Sequence, residues 1–138
     1  EHINGKFVVG EDMADNFVEH YIIGGMILDW GVLYFERFSN KAVIVRGDRP
    51  DIQMAALRTS TSCIVLTGGF SPIQYVEYEA REEGVPLIQV DMSTIDTAAA
   101  LEGLACLARF DHPIKTNYFH QLMVECGAWG PLYTSLGM

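Results

Sequence analysis

Two short polar segments hold the residues best suited to chemistry. They are Gly47-Asp48-Arg49, which runs into Pro50-Asp51, and Thr67-Gly68-Gly69, which runs into Phe70-Ser71. A guanidinium such as that of Arg49 can clamp a phosphate or carboxylate through two parallel hydrogen bonds. Asp48 beside it could orient the clamp or accept from a ribose hydroxyl. The same pair also admits a structural use, with Asp48 capping a helix that starts at Pro50 and Arg49 bracing adjacent loops. Gly68 and Gly69 either let backbone approach a ligand closely or mark a turn needing positive φ. Gly24-Gly25-Met26 and Asp91-Met92-Ser93-Thr94 complete a set of four such segments.

Several familiar constellations are missing. No G-x-x-x-x-G-K-[ST] or G-x-G-x-x-G fingerprint follows an apolar run, so the common nucleotide loops are absent and no cofactor is expected. His2, His20, His112 and His120 have no metal-site spacing, and no metal is expected. Ser62, Ser71 and Ser93 lack a G-x-S-x-G context. Cys63 opens an apolar run, at the end away from the polar turns, and is a poor nucleophile there.

These turns need a scaffold, and the chain is long enough to supply one. Its 138 residues, 49% hydrophobic and 20% charged, suit a single globular domain spanning 1–138. The formal net charge of −9 and nine scattered basic residues argue against nucleic acid as a partner. No apolar run approaches the ~18–20 residues of a membrane span, and Glu1-His2-Ile3-Asn4 lacks the layout of a secretion signal. Cys63, Cys106 and Cys126 are odd in number, far apart and free of C-x-x-C pairing. They read as buried thiols in a reducing cytoplasm.

Five apolar runs read as strands: Phe7 to Val9, Tyr21 to Ile23, Ala42 to Val45, Cys63 to Leu66, and Pro86 to Val90. The last three do not alternate, as expected where helices cover both faces of a parallel sheet. Helical patterns fill the gaps. The first, about Ile27 to Phe38, carries Ile27, Trp30, Tyr34 and Phe38 on one face, with Leu28, Val32 and Phe35 beside it. The second starts at Pro50 and turns Ile52, Ala55 and Ala56 inward. The third starts at Ser71-Pro72 with Ser71 as its cap, buries Ile73, Val76 and Ala80, and stops at Gly84. In the fourth, Ser93 and Asp96 form an approximate capping box ahead of Ala98 to Ala108. Strand–helix alternation of this kind makes parallel βαβ units, hence a three-layer α/β/α fold with a mainly parallel sheet. The four polar turns would then share the carboxyl edge of the sheet, where open α/β sheets bind ligands.

Past Asp111-His112-Pro113 a last helix, about Ile114 to Cys126, leads to an uncharged tail containing Trp129, Leu132, Tyr133 and Leu136. Such a tail is expected to be buried against its own domain or a partner.

The order Gly47-Asp48-Arg49-Pro50-Asp51-Ile52, Leu66-Thr67-Gly68-Gly69, Gly84-Val85-Pro86 resembles the DRTGG domain family, over about Tyr21 to Leu107. Gly24-Gly25-Met26 is similar to the usual Gly-Ala-Met opening. Ser93-Thr94 departs from the Asp-Thr of many members, while Thr97 is retained. The resemblance implies a fold like the N-terminal domain of HPr kinase/phosphorylase. It also implies kinship with accessory domains beside phosphotransacetylase domains or between the CBS domains of pyrophosphatases. There such domains look regulatory or dimer-forming, not catalytic.

The expected role is therefore a regulatory or ligand-sensing domain, dimeric, taking a small anionic metabolite or nucleotide. Its candidate ligand-binding residues are Gly24, Gly25, Gly47, Asp48, Arg49, Thr67, Gly68, Gly69, Ser93 and Thr94. The alternatives are a purely structural dimerisation domain and, less favoured, a small phosphotransferase or hydrolase using Asp48 and Arg49.

Overall fold

The computed structural model describes residues 2–25, 31–107 and 110–137. Five strands form one sheet: β1 (Lys6–Val9), β2 (His20–Ile23), β3 (Lys41–Arg46), β4 (Thr61–Thr67) and β5 (Leu87–Gln89). Their order is β1-β5-β4-β3-β2. The run β2 to β5 is parallel and sequential, and β1 closes the β5 edge antiparallel. Right-handed crossovers that always step the same way keep their helices on one face. Thus α1 (Gly31–Phe35), α2 (Pro50–Leu57) and α3 (Gln74–Glu82) share a layer, and α4 (Thr94–Glu102), which follows the last strand, lies over β2 and β3 on the other.

Strand alternation divides the core accordingly. Ile22, Val43, Val45, Ile64 and Leu66 meet Phe35, Ile52, Ala56 and Val76 in the main cluster. Ala42, Ile44 and Val65 are buried on the α4 side, where Thr97 and Leu101 come down to meet the sheet. Tyr34 and Phe38 pack against the main cluster, so the aromatic stripe of the first helix is core as far as it is described. Met26, Ile27, Leu28 and Trp30 lie outside the described residues, as do Ala108 and the side chain of Cys106.

Helix ends follow local chemistry. Ser93 Oγ accepts from the Asp96 N–H at 3.2 Å and donates to its carboxylate at 2.7 Å, the expected capping box. At the end of α3, Gly84 has φ 67°. Its N–H reaches Arg81 O while the Val85 N–H reaches Ala80 O, a Schellman closure. Ser71 does not cap α3: the helix begins at Gln74 after an extended Ile73, with no side-chain cap. Ile73 is consequently exposed, whereas Val76 and Ala80 are buried as expected. Buried Pro72 takes the place given to Ile73, so the chain enters the helix later than Ser71-Pro72 suggests.

The chain folds as two compact units, 1–105 and 106–138. The second contains α5 (Pro113–Glu125), capped by His112 Nδ1 accepting from the Ile114 N–H, and α6 (Trp129–Ser135). Neither helix has a buried residue. Leu132, Tyr133 and Leu136 are exposed on the single chain, where the uncharged tail was expected to be buried against its own domain or a partner. Cys126 is likewise exposed, contrary to expectation, while Cys63 is mostly covered and its thiol is pushed up to about 11 by desolvation. Among the described residues, no helix is long and apolar enough to cross a membrane.

Candidate functional site

The carboxyl edge of β3 and β4 is built on one close contact. A side chain at Gly47 would drive its Cβ into the Phe70 carbonyl group, so only glycine lets the two turns meet. Beneath them Gln53 is fully buried, and its Nε2 donates to Arg46 O at 2.9 Å and to Gly47 O at 3.0 Å. The turns after β3 and β4 therefore form one ledge.

Above the ledge a cavity of about 300 Å³ opens toward α4. Arg46, Thr67, Gly68 and Phe70 line it from the sheet, and Ser93, Thr94 and Ile95 from the helix. The Thr67 and Thr94 hydroxyls share a 2.7 Å hydrogen bond that joins the two sides. Arg46 lies over the Phe70 ring, 5.9 Å from its centroid, within cation–π range.

Sequence reasoning missed Arg46. It is the last residue of β3 and shares the face of Ile44, so period-two alternation aims it at α4. Its guanidinium forms a two-point pair with Asp48, Nε to Oδ1 at 2.9 Å and Nη2 to Oδ2 at 2.5 Å. Asp48 is thus engaged with Arg46 and does not cap α2, whose N-cap is Arg49 without a side-chain bond. Arg49 does not brace separate loops either. It pairs with Asp51 in the first turn of its own helix at 3.0 and 2.7 Å, which holds the Asp51 carboxyl below its ordinary range. Two residues of separation favour these local pairs over longer reaches.

The remaining candidates divide. Gly68 lines the cavity with φ 82°, but its N–H is spent on Met92 O, and that of Gly69 on Val90 O. The Thr-Gly-Gly turn therefore ties β4 to the β5–α4 connection and does not offer those two donors to a ligand. Gly69 faces Asp91 instead of the cavity. Gly24 is buried on the opposite layer, where a Cβ would meet Ile52, Phe35 and Val43, and exposed Gly25 lines no part of the site.

A family model, the DRTGG domain, matches residues 1–104. The chain belongs to the DRTGG domain family. The match begins earlier than the motifs at Tyr21 to Leu107 suggested, and so takes in β1. A crystal structure of the CBS and DRTGG domains of the regulatory region of Clostridium perfringens pyrophosphatase, complexed with the activator diadenosine tetraphosphate, shares this fold. The TM-score is 0.60 at 17% identity, over 72% of this chain and 42% of that one. The chain thus spans under half the length of that neighbour, and the likeness bears on the fold alone.

Proposed function

We propose that this DRTGG domain is a regulatory, non-catalytic sensor that takes a small anionic metabolite or nucleotide in the cavity between the β3–β4 ledge and α4. The observation that carries this reading is the chemistry of the lining. Arg46 supplies a charge, and Phe70 and Ile95 supply apolar cover beside the mutually bonded Thr67 and Thr94 hydroxyls, which suits recognition of an anion. None of these lining residues is a carboxylate, histidine or cysteine that could serve as base or nucleophile. The nucleotide complex of the pyrophosphatase regulatory region supports a nucleotide ligand. Kinship with accessory domains of phosphotransacetylases and a cytoplasmic location fit the same role, the latter supported by the unpaired Cys63 and Cys126.

Thermal-shift assays with ATP, AMP, acetyl phosphate and phosphoenolpyruvate test the proposal. A ligand at a hundredfold its Kd stabilises by about 2.7 kcal/mol, which raises Tm by a few degrees. Arg46→Ala removes that shift and Arg49→Ala preserves it. A shift that persists in Arg46→Ala would overturn the assignment.

Assembly is a second reading, favoured by a specific observation. Ile114, Tyr118, Phe119 and Leu122 on α5 are exposed, as are Leu132, Tyr133 and Leu136 near the end of the chain. Apolar exposure on this scale suits a contact between two copies.

A further inference from the structure

A second cavity, of about 450 Å³, adjoins the first. Tyr21, Ile23 and Ile44 form its floor on β2 and β3, and Ala98 and Ala99 on α4 form its wall. Glu102 lies at one end, and Ile95, which also lines the anion cavity, lies at the other. Ile95, Ala98, Ala99 and Glu102 follow i, i+3, i+4, i+7 spacing and so make one stripe of α4. That stripe is distinct from the core-facing one, in which Thr97 and Leu101 are buried. Ile95 is 79% exposed, and Tyr21 and Ile23 are each 46% exposed. Continuous apolar exposure leading out of the cavity that holds Arg46 suits a ligand groove.

We infer that the two cavities form one bipartite site for a nucleoside phosphate, with the phosphate at Arg46 and the base in the groove beside Tyr21. This rests on the anion-site reading above and specifies its ligand. The floor offers an aromatic ring, and the two alanines leave room for a flat group between helix and sheet. Aliphatic and aromatic walls suit a base face, since stacking needs no hydrogen bonds. Among the described residues, Glu102 is the only carboxylate lining the groove. Ionised, it accepts hydrogen bonds only, so it selects a base edge that carries amino or ring N–H donors and disfavours an anionic tail. The stripe from Ile95 to Glu102 is about 10 Å long at 1.5 Å per residue, which separates the phosphate end from the base-edge end along one helix.

Isothermal titration calorimetry on the full chain, comparing AMP and GMP with ribose 5-phosphate, tests the inference. At least one nucleotide is expected to bind tenfold or more tightly than ribose 5-phosphate. Glu102→Ala and Ala99→Trp, both at exposed positions, should cut that advantage below threefold and leave the Kd of ribose 5-phosphate unchanged. Equal affinity for all three ligands, or an advantage that survives both variants, overturns the base site. Ribose 5-phosphate binding that still depends on Arg46 would then leave the anion site standing. Binding by none of the three overturns the base site, and the thermal shifts with acetyl phosphate and phosphoenolpyruvate then decide the anion site separately. If Ala99→Trp changes the molar mass in solution without altering nucleotide affinity, the groove is a subunit contact and the inference fails.

Discussion

Arg46 and Asp48 form a pair that a ligand can open cheaply. Their side chains are 60% and 38% exposed, and exposed ion pairs contribute only about 0–1 kcal/mol. A phosphate or carboxylate entering the cavity thus gives up little when it replaces Asp48 at the guanidinium. Asp48 should act as a competitor for the anion, in contrast to the ligand-orienting role that its place in the motif suggests. Asp48→Asn is expected to tighten binding of an anionic ligand severalfold, opposite in sign to Arg46→Ala, as read by calorimetric titration. Weaker binding in Asp48→Asn would mean that the carboxylate holds Arg46 in its binding position. The motif letters direct attention to Asp48 and Arg49 and away from Arg46, although the alternation through Ile44 already sets Arg46 on the α4 face. What the sequence did not disclose is the local geometry: Arg49 closes onto Asp51, and the glycine N–H groups are consumed by the β5–α4 connection.

At the level of elements, all five strands and the parallel pairing of β2 to β5 were legible, because unbroken apolar runs and turn residues are strong signals, whereas nothing in the short first run marked β1 as an antiparallel edge. The start of α3 was not legible either, since proline and serine mark a turn as readily as a helix entry. Nor did the sequence mark the first residue of β3. Lys41 is fully buried, and its ammonium donates to Ser60 O at 2.7 Å and to Phe38 O at 3.0 Å. Desolvation lowers its pKa from 10.5 to about 8. Between those values the unfolded chain holds more protons than the folded one, so stability rises with pH. Cys63 acts in the opposite sense from its ordinary 9.0 up to about 11, because there the folded state holds the extra proton. Lys41 therefore dominates this pair from about pH 8 to 9. Urea melts should show stability rising across that window, by less than ~1.4 kcal/mol per pH unit, and Lys41→Met should flatten the rise. An unchanged slope in Lys41→Met would assign the effect elsewhere.

At the scale of the whole molecule, the chain combines a net charge of −9 with extensive apolar exposure on α5 and α6. Like charges oppose association in general, so self-association would require a local surface. The α6 span, Trp129–Ser135, carries no charge and suits that role. Light scattering is expected to give a dimer for the full chain, shifted toward monomer by Leu132→Glu together with Leu136→Glu. A monomeric full chain at micromolar concentration would remove the assembly reading while leaving the anion site untouched.

The sequential order of the sheet bears on how the chain acquires its shape. Each parallel pairing joins a strand to the next one along the chain, so β2 to β5 can assemble by successive short closures. The pairing of β1 with β5, Phe7 opposite Ile88, instead joins nearly the two ends of the family-matched region. Closing the longer loop costs more entropy, and contacts between distant residues slow folding. The antiparallel edge is thus expected to form last, with β1 docking on a sheet whose β3–β4 ledge is already in place.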